Sequence, residues 1–302
     1  MRIVSLLPST TEILFGIGAG EDVVGVTFEC DFPLEARTRQ IVSTSAMPQG
    51  LSPREIDDFV GAALRRGDDL YHLQADALIG LDADLVVTQD LCAVCAVDVS
   101  VVDDALSYLG CRADVVTVDP YTVGEVLDSV LMLGDRTGHP TEAAALVDSL
   151  HARLDSVRQA VADRSRPRVL VLEWTDPPYA PGHWIPEMVE IAGGIPVLGE
   201  TGEKSFRITW DQVSATEPDL VVCAPCGYPL DVACELAVSV ADRFPGVPVW
   251  GVDANASFAR PGPRIVDGVE ALAAIFHPAA VGDPTDVSAR LVPTPQPGFA
   301  PG

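Results

Sequence analysis
A long helical run from Val123 to about Arg164 stands mid-chain, between two halves that read alike. Its apolar positions are Val126, Val130 and Leu133, then Ala144, Val147, Leu150, Leu154, Val157 and Val161. They recur at three- and four-residue spacings, so one face of the run is predicted to be buried. The Gly138-His139-Pro140 step should kink or restart it, with Thr141 placed to cap the restarted helix. Each flanking half opens with a predicted strand (Arg2–Leu7; Arg168–Leu172), then a loop, a short helix and a glycine pair or near-pair (Gly18 and Gly20; Gly193 and Gly194). Each later carries an Asp-Leu-Val-Val strand, at 84–87 and 219–222. The predicted fold class is therefore α/β, with two Rossmann-like lobes joined by one long α-helix. The expected divisions are a first lobe over 1–120, the connecting helix over 121–166, a second lobe over 167–277 and a disordered tail over 278–302.

A chain of 302 residues is long enough for two such lobes. Its net charge of −25 excludes nucleic acid as a partner, because phosphates require a basic surface. Lys204 is the only lysine; every other base is arginine. An acidic, lysine-poor surface suits solubility in concentrated salt, where screening removes self-repulsion; a docking face for a basic partner is the competing reading. Seven cysteines, an odd number in a long chain, do not form the pattern of a disulfide framework. No run of about 20 apolar residues is present, and Met1-Arg2 leads directly into the first strand with no room for a signal peptide. The expectation is a cytoplasmic protein, or a membrane-associated extracellular one should the true start lie upstream.

Loops at the carboxyl ends of strands are where open α/β sheets bind ligands. The first is Pro8 followed by Ser9-Thr10-Thr11-Glu12, with capping-box spacing ahead of a helix over 13–17. Its free amides could meet a polar ligand group, or the segment is a helix start and nothing more. Gly16-Ile17-Gly18-Ala19-Gly20 follows that helix and terminates it, so it is no dinucleotide loop. The strand over 85–88 ends in Gln89-Asp90-Leu91-Cys92-Ala93-Val94-Cys95, and its counterpart over 221–224 leads through Cys223 to Cys226. Two Cys-x-x-Cys pairs at matching strand ends could hold zinc or act as redox dithiols; the favoured reading is buried or cleft-lining thiols that touch a ligand. In the second half, Trp174-Thr175-Asp176-Pro177-Pro178-Tyr179 and Gly182-His183-Trp184 form a loop stiffened by proline and rich in aromatics, with Trp210 further on. Trp174, Tyr179, Trp184 and Trp210 are flanked by polar or turn residues, which favours a site over core packing. His183 is the best-placed axial ligand for a metal in a flat macrocycle; a loop hydrogen-bond donor is the equal alternative. His72 reads as a surface histidine.

Ser5-Leu6-Leu7-Pro8-Ser9-Thr10-Thr11-Glu12, Asp31-Phe32-Pro33, Asp84-Leu85-Val86-Val87, Asp176-Pro177-Pro178-Tyr179, Ile208-Thr209-Trp210-Asp211-Gln212-Val213 and Arg260-Pro261-Gly262-Pro263-Arg264 together resemble the cobalamin-binding solute receptors of ABC importers. That group belongs to the iron-siderophore/cobalamin binding proteins, and the likeness runs from residue 1 to about 277. It implies a corrinoid such as cobalamin held between the lobes by loops carrying Ser9, Glu29, Cys30, Met47, Gln89, Tyr179, Trp210 and Arg260. Cys30, Met47 and Gln89 stand where transport receptors carry tyrosine or tryptophan. Cys92 and Cys95, with Glu173-Trp174 and Gly182-His183-Trp184, mark a subgroup pattern. The resemblance also implies an ABC permease and ATPase as partners of a monomeric binding protein. Haem or a ferric siderophore is the alternative ligand, although an anionic siderophore would want more arginines than Arg207 and Arg260. The alternative class is a thiol-dependent corrinoid-processing enzyme using Cys92 and Cys95; against it, no nucleophile–base–orienter set or phosphate loop is visible.

Overall fold
The structure, a computed structural model, describes residues 1–78, 80–89 and 113–293. Within it the chain divides into two compact units, one of residues 1–120 with 126–148 and one of residues 121–125 with 149–302.

In the first unit, strands β1 (Ile3–Ser5), β2 (Val23–Val26) and β3 (Gln40–Ile41) join β6 (Leu85–Thr88) and β7 (Asp114–Thr117) in one parallel sheet, ordered β3-β2-β1-β6-β7. β4 (Ser43–Ser45) and β5 (Tyr71–Leu73) form a separate antiparallel ribbon. Continuous apolar strands such as Leu85-Val86-Val87 are what a parallel sheet covered on both faces requires; Val4, Leu6, Val42, Leu78 and Val86 form the core there. The helix over Pro53–Arg66 has the Ser52/Glu55 capping box and N1 proline that its sequence dictates.

The first helix departs from expectation. It spans Pro8–Gly16 with Leu7 as its N-cap and has no side-chain cap. Proline's fixed φ starts the helix early, ahead of the hydroxyl residues. Ser9, Thr10, Thr11 and Glu12 are therefore helical and buried, not a capping box. The hydroxyls turn inward instead: Ser5 and Thr10 share a 2.7 Å hydrogen bond, and Thr11 donates to Ser5 Oγ at 2.8 Å.

The central helical run is two helices, Val123–Thr137 and Pro140–Val161, broken at Gly138 (φ +78°), as the Gly-His-Pro step predicts. His139 precedes the second helix, so Thr141 lies inside it and does not cap it. Val126, Val130, Leu133, Val147, Leu150, Leu154, Val157 and Val161 are buried as read from their spacing, but Ala143 is the buried alanine and Ala144 is exposed. Only 143 continues the 147, 150, 154 series at a four-residue step. Ala143 lies against Gly134: a methyl on Gly134 would collide with the Ala143 Cβ and meet the His139 carbonyl at 3.1 Å. Gly134→Ala should therefore destabilise the first unit by about 1–2 kcal/mol despite alanine's better helix propensity. A urea midpoint equal to or above that of the unmodified chain would refute this contact.

In the second unit, β8 (Arg168–Leu172) is followed by a small antiparallel sheet of β9 (Trp174–Thr175), β10 (Pro178–Ala180) and β12 (Phe206–Arg207). The main sheet adds β11 (Ile195–Pro196), β13 (Leu220–Cys223), β14 (Val249–Val252) and β15 (Ala289–Val292), ordered β11-β8-β13-β14-β15. The first four of these run parallel, and β15 closes the edge antiparallel to β14, pairing Trp250 with Leu291. The expected disordered tail is thus corrected over 278–293: after the helix Ile265–Phe276 come a short helix, Pro278–Val281, and β15. Ala289 and Val292 face the core and give the strand its anchoring; residues 294–302 lie outside the described set. The Arg153 guanidinium ties the Pro140–Val161 helix to the Ile265–Phe276 helix, donating to Glu270 at 2.8 and 2.6 Å and to Asp267 at 2.5 Å.

The two halves match down to single hydrogen bonds. The N–H of Arg2 donates to Asp84 Oδ2 at 2.7 Å, and the N–H of Arg168 donates to Asp219 Oδ2 at 2.7 Å. Two residues before each aspartate, Asp82 and Glu217 adopt left-handed backbone (φ +43° and +45°). The Asp of each Asp-Leu-Val-Val strand thus fastens the opening strand of its own sheet.

Candidate functional site
At the carboxyl ends of the first unit's strands lie Ser9, Glu29, Cys30, Met47 and Gln89. Ser9, Cys30 and Gln89 are buried, and Glu29 and Met47 are half-buried. The Cys30 thiol sits 3.0 Å from Thr11 Oγ1, so it belongs to the hydroxyl network under the helix start. The Met47 N–H donates to Ser45 Oγ at 3.0 Å, which turns the loop after β4. Asp90, Cys92 and Cys95 lie outside the described residues. His72 is exposed, as its sequence setting implies.

The second unit gathers more of the predicted residues. β8 is followed by Glu173, whose carboxylate accepts from Ser205 Oγ at 2.6 Å and whose carbonyl accepts from the Cys226 N–H at 3.1 Å. The Cys226 bond holds the loops after β8 and β13 together, and the Ser205 bond ties Glu173 to the segment just before β12. They set the half-buried Trp174 ring against Tyr228, stacked at 5.6 Å between centroids and 29° between planes. Across β10, Tyr179 pairs in register with both Trp174 and Arg207, and the Arg207 guanidinium lies 5.9 Å over the Tyr179 ring. Arg260 is buried and donates to Asn255 Oδ1 at 3.1 Å, while the Asn255 N–H donates to the Tyr228 carbonyl at 3.0 Å. Trp174, Tyr228, Tyr179 and Arg207 with Asn255 and Arg260 form an aromatic surface with cationic and amide groups, at the strand ends where open sheets bind ligands. Burial raises the Tyr228 phenol above its ordinary pKa, so it is a neutral hydrogen-bonding group at pH 7.

Tyr228 is not marked by the sequence pattern, where the adjacent Cys223/Cys226 spacing is the stronger signal. Its signal was its place, in the loop just beyond the β13 strand that repeats β6.

Two predicted aromatics serve the framework instead. Trp184 is buried, and its indole N–H donates to the Phe258 carbonyl at 2.8 Å, pinning the loop after β14. Trp210 packs on the sheet core, edge-on to Phe244 at 6.5 Å, with the Arg243 guanidinium 4.1 Å over its face. Both stand at helix starts, Trp184 just before Ile185–Ile191 and Trp210 opening Trp210–Ser214 behind the Thr209/Gln212 capping box, and helix starts carry polar and turn residues. Of the readings open to the second Cys-x-x-Cys pair, the buried one holds for Cys223: it is wholly buried in the core of β13, and burial, then the neighbouring Cys234, pushes its thiol up to about 12. A thiol so held supplies neither a zinc ligand nor a redox partner to Cys226. Among the described residues no group of three or more His, Cys, Asp or Glu is placed to hold a metal ion.

His183 is half-buried, with left-handed backbone at φ +52°. Its N–H donates to the Glu203 carbonyl at 2.6 Å and its own carbonyl accepts from the Gly202 N–H at 3.0 Å. Beside it, Gly182 is pressed on the backbone of residues 203–205 so closely that a Cβ would collide with it. Burial, and then the charge of Lys204, pull the imidazole below its ordinary pKa, so the ring is neutral at pH 7.

The periplasmic binding protein family model matches residues 3–235. An uncharacterized ABC transporter substrate-binding lipoprotein of Bacillus subtilis is 26% identical over 292 residues, 92% of this chain and 80% of the relative. A cobalamin-binding protein of Halobacterium salinarum is 23% identical over 289 residues, 91% of this chain and 69% of the relative. Among solved structures, a periplasmic heme binding protein from Pseudomonas aeruginosa gives a TM-score of 0.68 at 20% identity, covering 97% of this chain and 98% of the other. The periplasmic vitamin B12 binding protein of Vibrio cholerae gives 0.61 at 18% identity, covering 90% and 94%. At these identities the structural likeness speaks for the fold. Among the described residues no helix is long and apolar enough to cross a membrane.

Proposed function
The chain belongs to the periplasmic binding protein family, and from that premise we propose that it is a solute-binding protein of the ABC-importer type whose ligand is cobalamin or a related corrinoid. The observation that carries this reading is the aromatic surface at the strand ends of the second unit, where Trp174 is stacked on Tyr228 beside Tyr179. A corrin offers a broad, flat, largely apolar ring edged with amides. Aromatic faces supply contact area to such a ring at low entropic cost, and the Arg207 guanidinium and the Asn255 amide N–H groups, the latter oriented by Arg260, are suited to amide oxygens at its rim. The ligand is bound and released unchanged, and an ABC permease with its ATPase would receive it. Relatives named for cobalamin and vitamin B12 binding support the corrin over other flat ligands.

Haem is the second reading, favoured by the same aromatic surface and by a fold shared with a heme binding protein. A ferric siderophore is less suited, because Arg260 is buried and bonded to Asn255, which leaves Arg207 as the exposed cation of the pair. The test is an absorbance titration of the purified chain with hydroxocobalamin in molar potassium chloride, with haemin in parallel. Saturable one-to-one corrinoid binding is expected. Saturation by haemin alone would transfer the reading to porphyrin, and saturation by neither would end it.

A further inference from the structure
We infer that His183 supplies an axial nitrogen to the metal of a flat macrocycle bound on the second unit; this rests on the ligand reading above and deepens it. Three observations converge on the ring.

The first is the state of its nitrogens. The imidazole is half-buried and neighbours the rings of Tyr121 and Trp184, with centroids 5.5 and 5.6 Å away. Among the described residues it makes no side-chain hydrogen bond. The other histidines held in the structure behave differently: His139 spends Nδ1 on the Thr137 carbonyl at 2.9 Å, and His277 spends Nε2 on the Gly193 carbonyl at 3.2 Å. A partly desolvated imidazole with no protein partner has its lone pair to offer.

The second is backbone. A non-glycine residue at φ +52° costs on the order of 1 kcal/mol or more, and such positions persist where surrounding structure over-determines them. Here both neighbours are fixed, Gly182 on the backbone of 203–205 and Trp184 through its indole N–H on the Phe258 carbonyl. Glycine at 183 would relieve the strain, and histidine stands there instead. The loop sets the ring before any ligand arrives.

The third is location. Ser205, in the segment against which Gly182 is pressed, also donates to Glu173, the residue before Trp174. The His183 loop and the aromatic surface therefore lean on one segment at the carboxyl end of β8.

The chemistry required is ligand exchange: the imidazole nitrogen forms a bond to cobalt or iron, the metal–oxygen bond of an axial water breaks, and water leaves with no change in oxidation state. A loop histidine that merely packed would give no such bond.

The test uses cobinamide, a corrinoid without the nucleotide base, so that any axial nitrogen comes from the protein. The full chain is loaded with cobinamide reduced to cobalt(II), and its EPR spectrum is compared between natural-abundance protein and protein labelled with nitrogen-15 histidine. The expected result is a nitrogen triplet splitting that becomes a doublet on labelling, disappears in His183→Ala and returns when free imidazole is added to that variant. His183→Asn, which accepts left-handed backbone, should also lose the splitting while keeping the unfolding midpoint, which separates lost ligation from lost folding. Cobinamide bound without nitrogen splitting, or with splitting that survives in both variants, overturns the inference and leaves the corrinoid reading standing. If no corrinoid binds, that reading fails by itself, and haemin decides the inference. A ferric Soret shift lost in both variants would sustain it on porphyrin, and an unchanged shift or no binding would overturn it.

Discussion
Replacing Trp184 by alanine should cost about 3–5 kcal/mol of stability, the range for removing a large buried aromatic. The indole is only 6% exposed and follows the Pro181-Gly182-His183 turn, immediately ahead of the helix Ile185–Ile191. Its N–H is the donor to the Phe258 carbonyl, so truncation leaves a cavity and removes that carbonyl's indole partner. Trp184→Phe separates the two terms: it retains most of the apolar volume and loses the hydrogen bond, so it should cost about 1–2 kcal/mol. Urea unfolding followed by far-UV circular dichroism measures both. A Trp184→Ala loss under about 1.5 kcal/mol would show that the indole is not the pin the structure makes it.

The stretch that holds Trp184 shows where sequence stops being informative. Trp174 and Trp184 stand ten positions apart, both among prolines, glycines and polar residues, and nothing in that pattern says where an indole N–H will go. Trp184 finds a carbonyl on a distant loop; Trp174 stacks on Tyr228. Both contacts are made by residues remote in sequence, and local composition carries no trace of them. Where the signal is local and periodic it reads through. The buried face of the central helices follows from three- and four-residue spacing, with Ala143 for Ala144 as a one-residue error at the restart. The repeat of Asp-Leu-Val-Val marks the same place in two sheets, down to the aspartate that accepts from the opening arginine. Competing local signals mislead: Ser9 to Glu12 had the letters of a capping box, but Pro8 had already started the helix. β15 was hidden because four residues, two inward and two outward, are too short to stand out in a Pro- and Gly-rich tail. Asp90 and Cys92, which the sequence places at the end of β6, lie outside the described residues.

Removing the other tryptophan should do the reverse. Trp174→Ala is expected to weaken corrinoid binding by about 10–100-fold, or roughly 1.4–2.8 kcal/mol, the size of an aromatic hot spot. It should shift the unfolding free energy by less than about 1 kcal/mol, because the ring is half-buried and stacks on a half-buried partner at a loop rather than in the core. Its indole N–H donates to the Asp176 carbonyl two residues on, at 3.2 Å, a local bond that water can replace. Tyr228→Ala should weaken binding by a comparable factor. Because the two rings hold each other in place, the double variant should lose less than the sum of the single losses. The measurement is the hydroxocobalamin titration on all three variants, with urea unfolding alongside. Equal affinity for Trp174→Ala and the unmodified chain would remove the aromatic surface as the ligand face. A full sum of losses in the double variant would show that the two rings contact the ligand independently and that their stacking is incidental. Loss of stability in Trp174→Ala comparable to that in Trp184→Ala would return both indoles to the framework and leave Tyr179, Arg207 and Asn255 to carry the second unit's ligand surface.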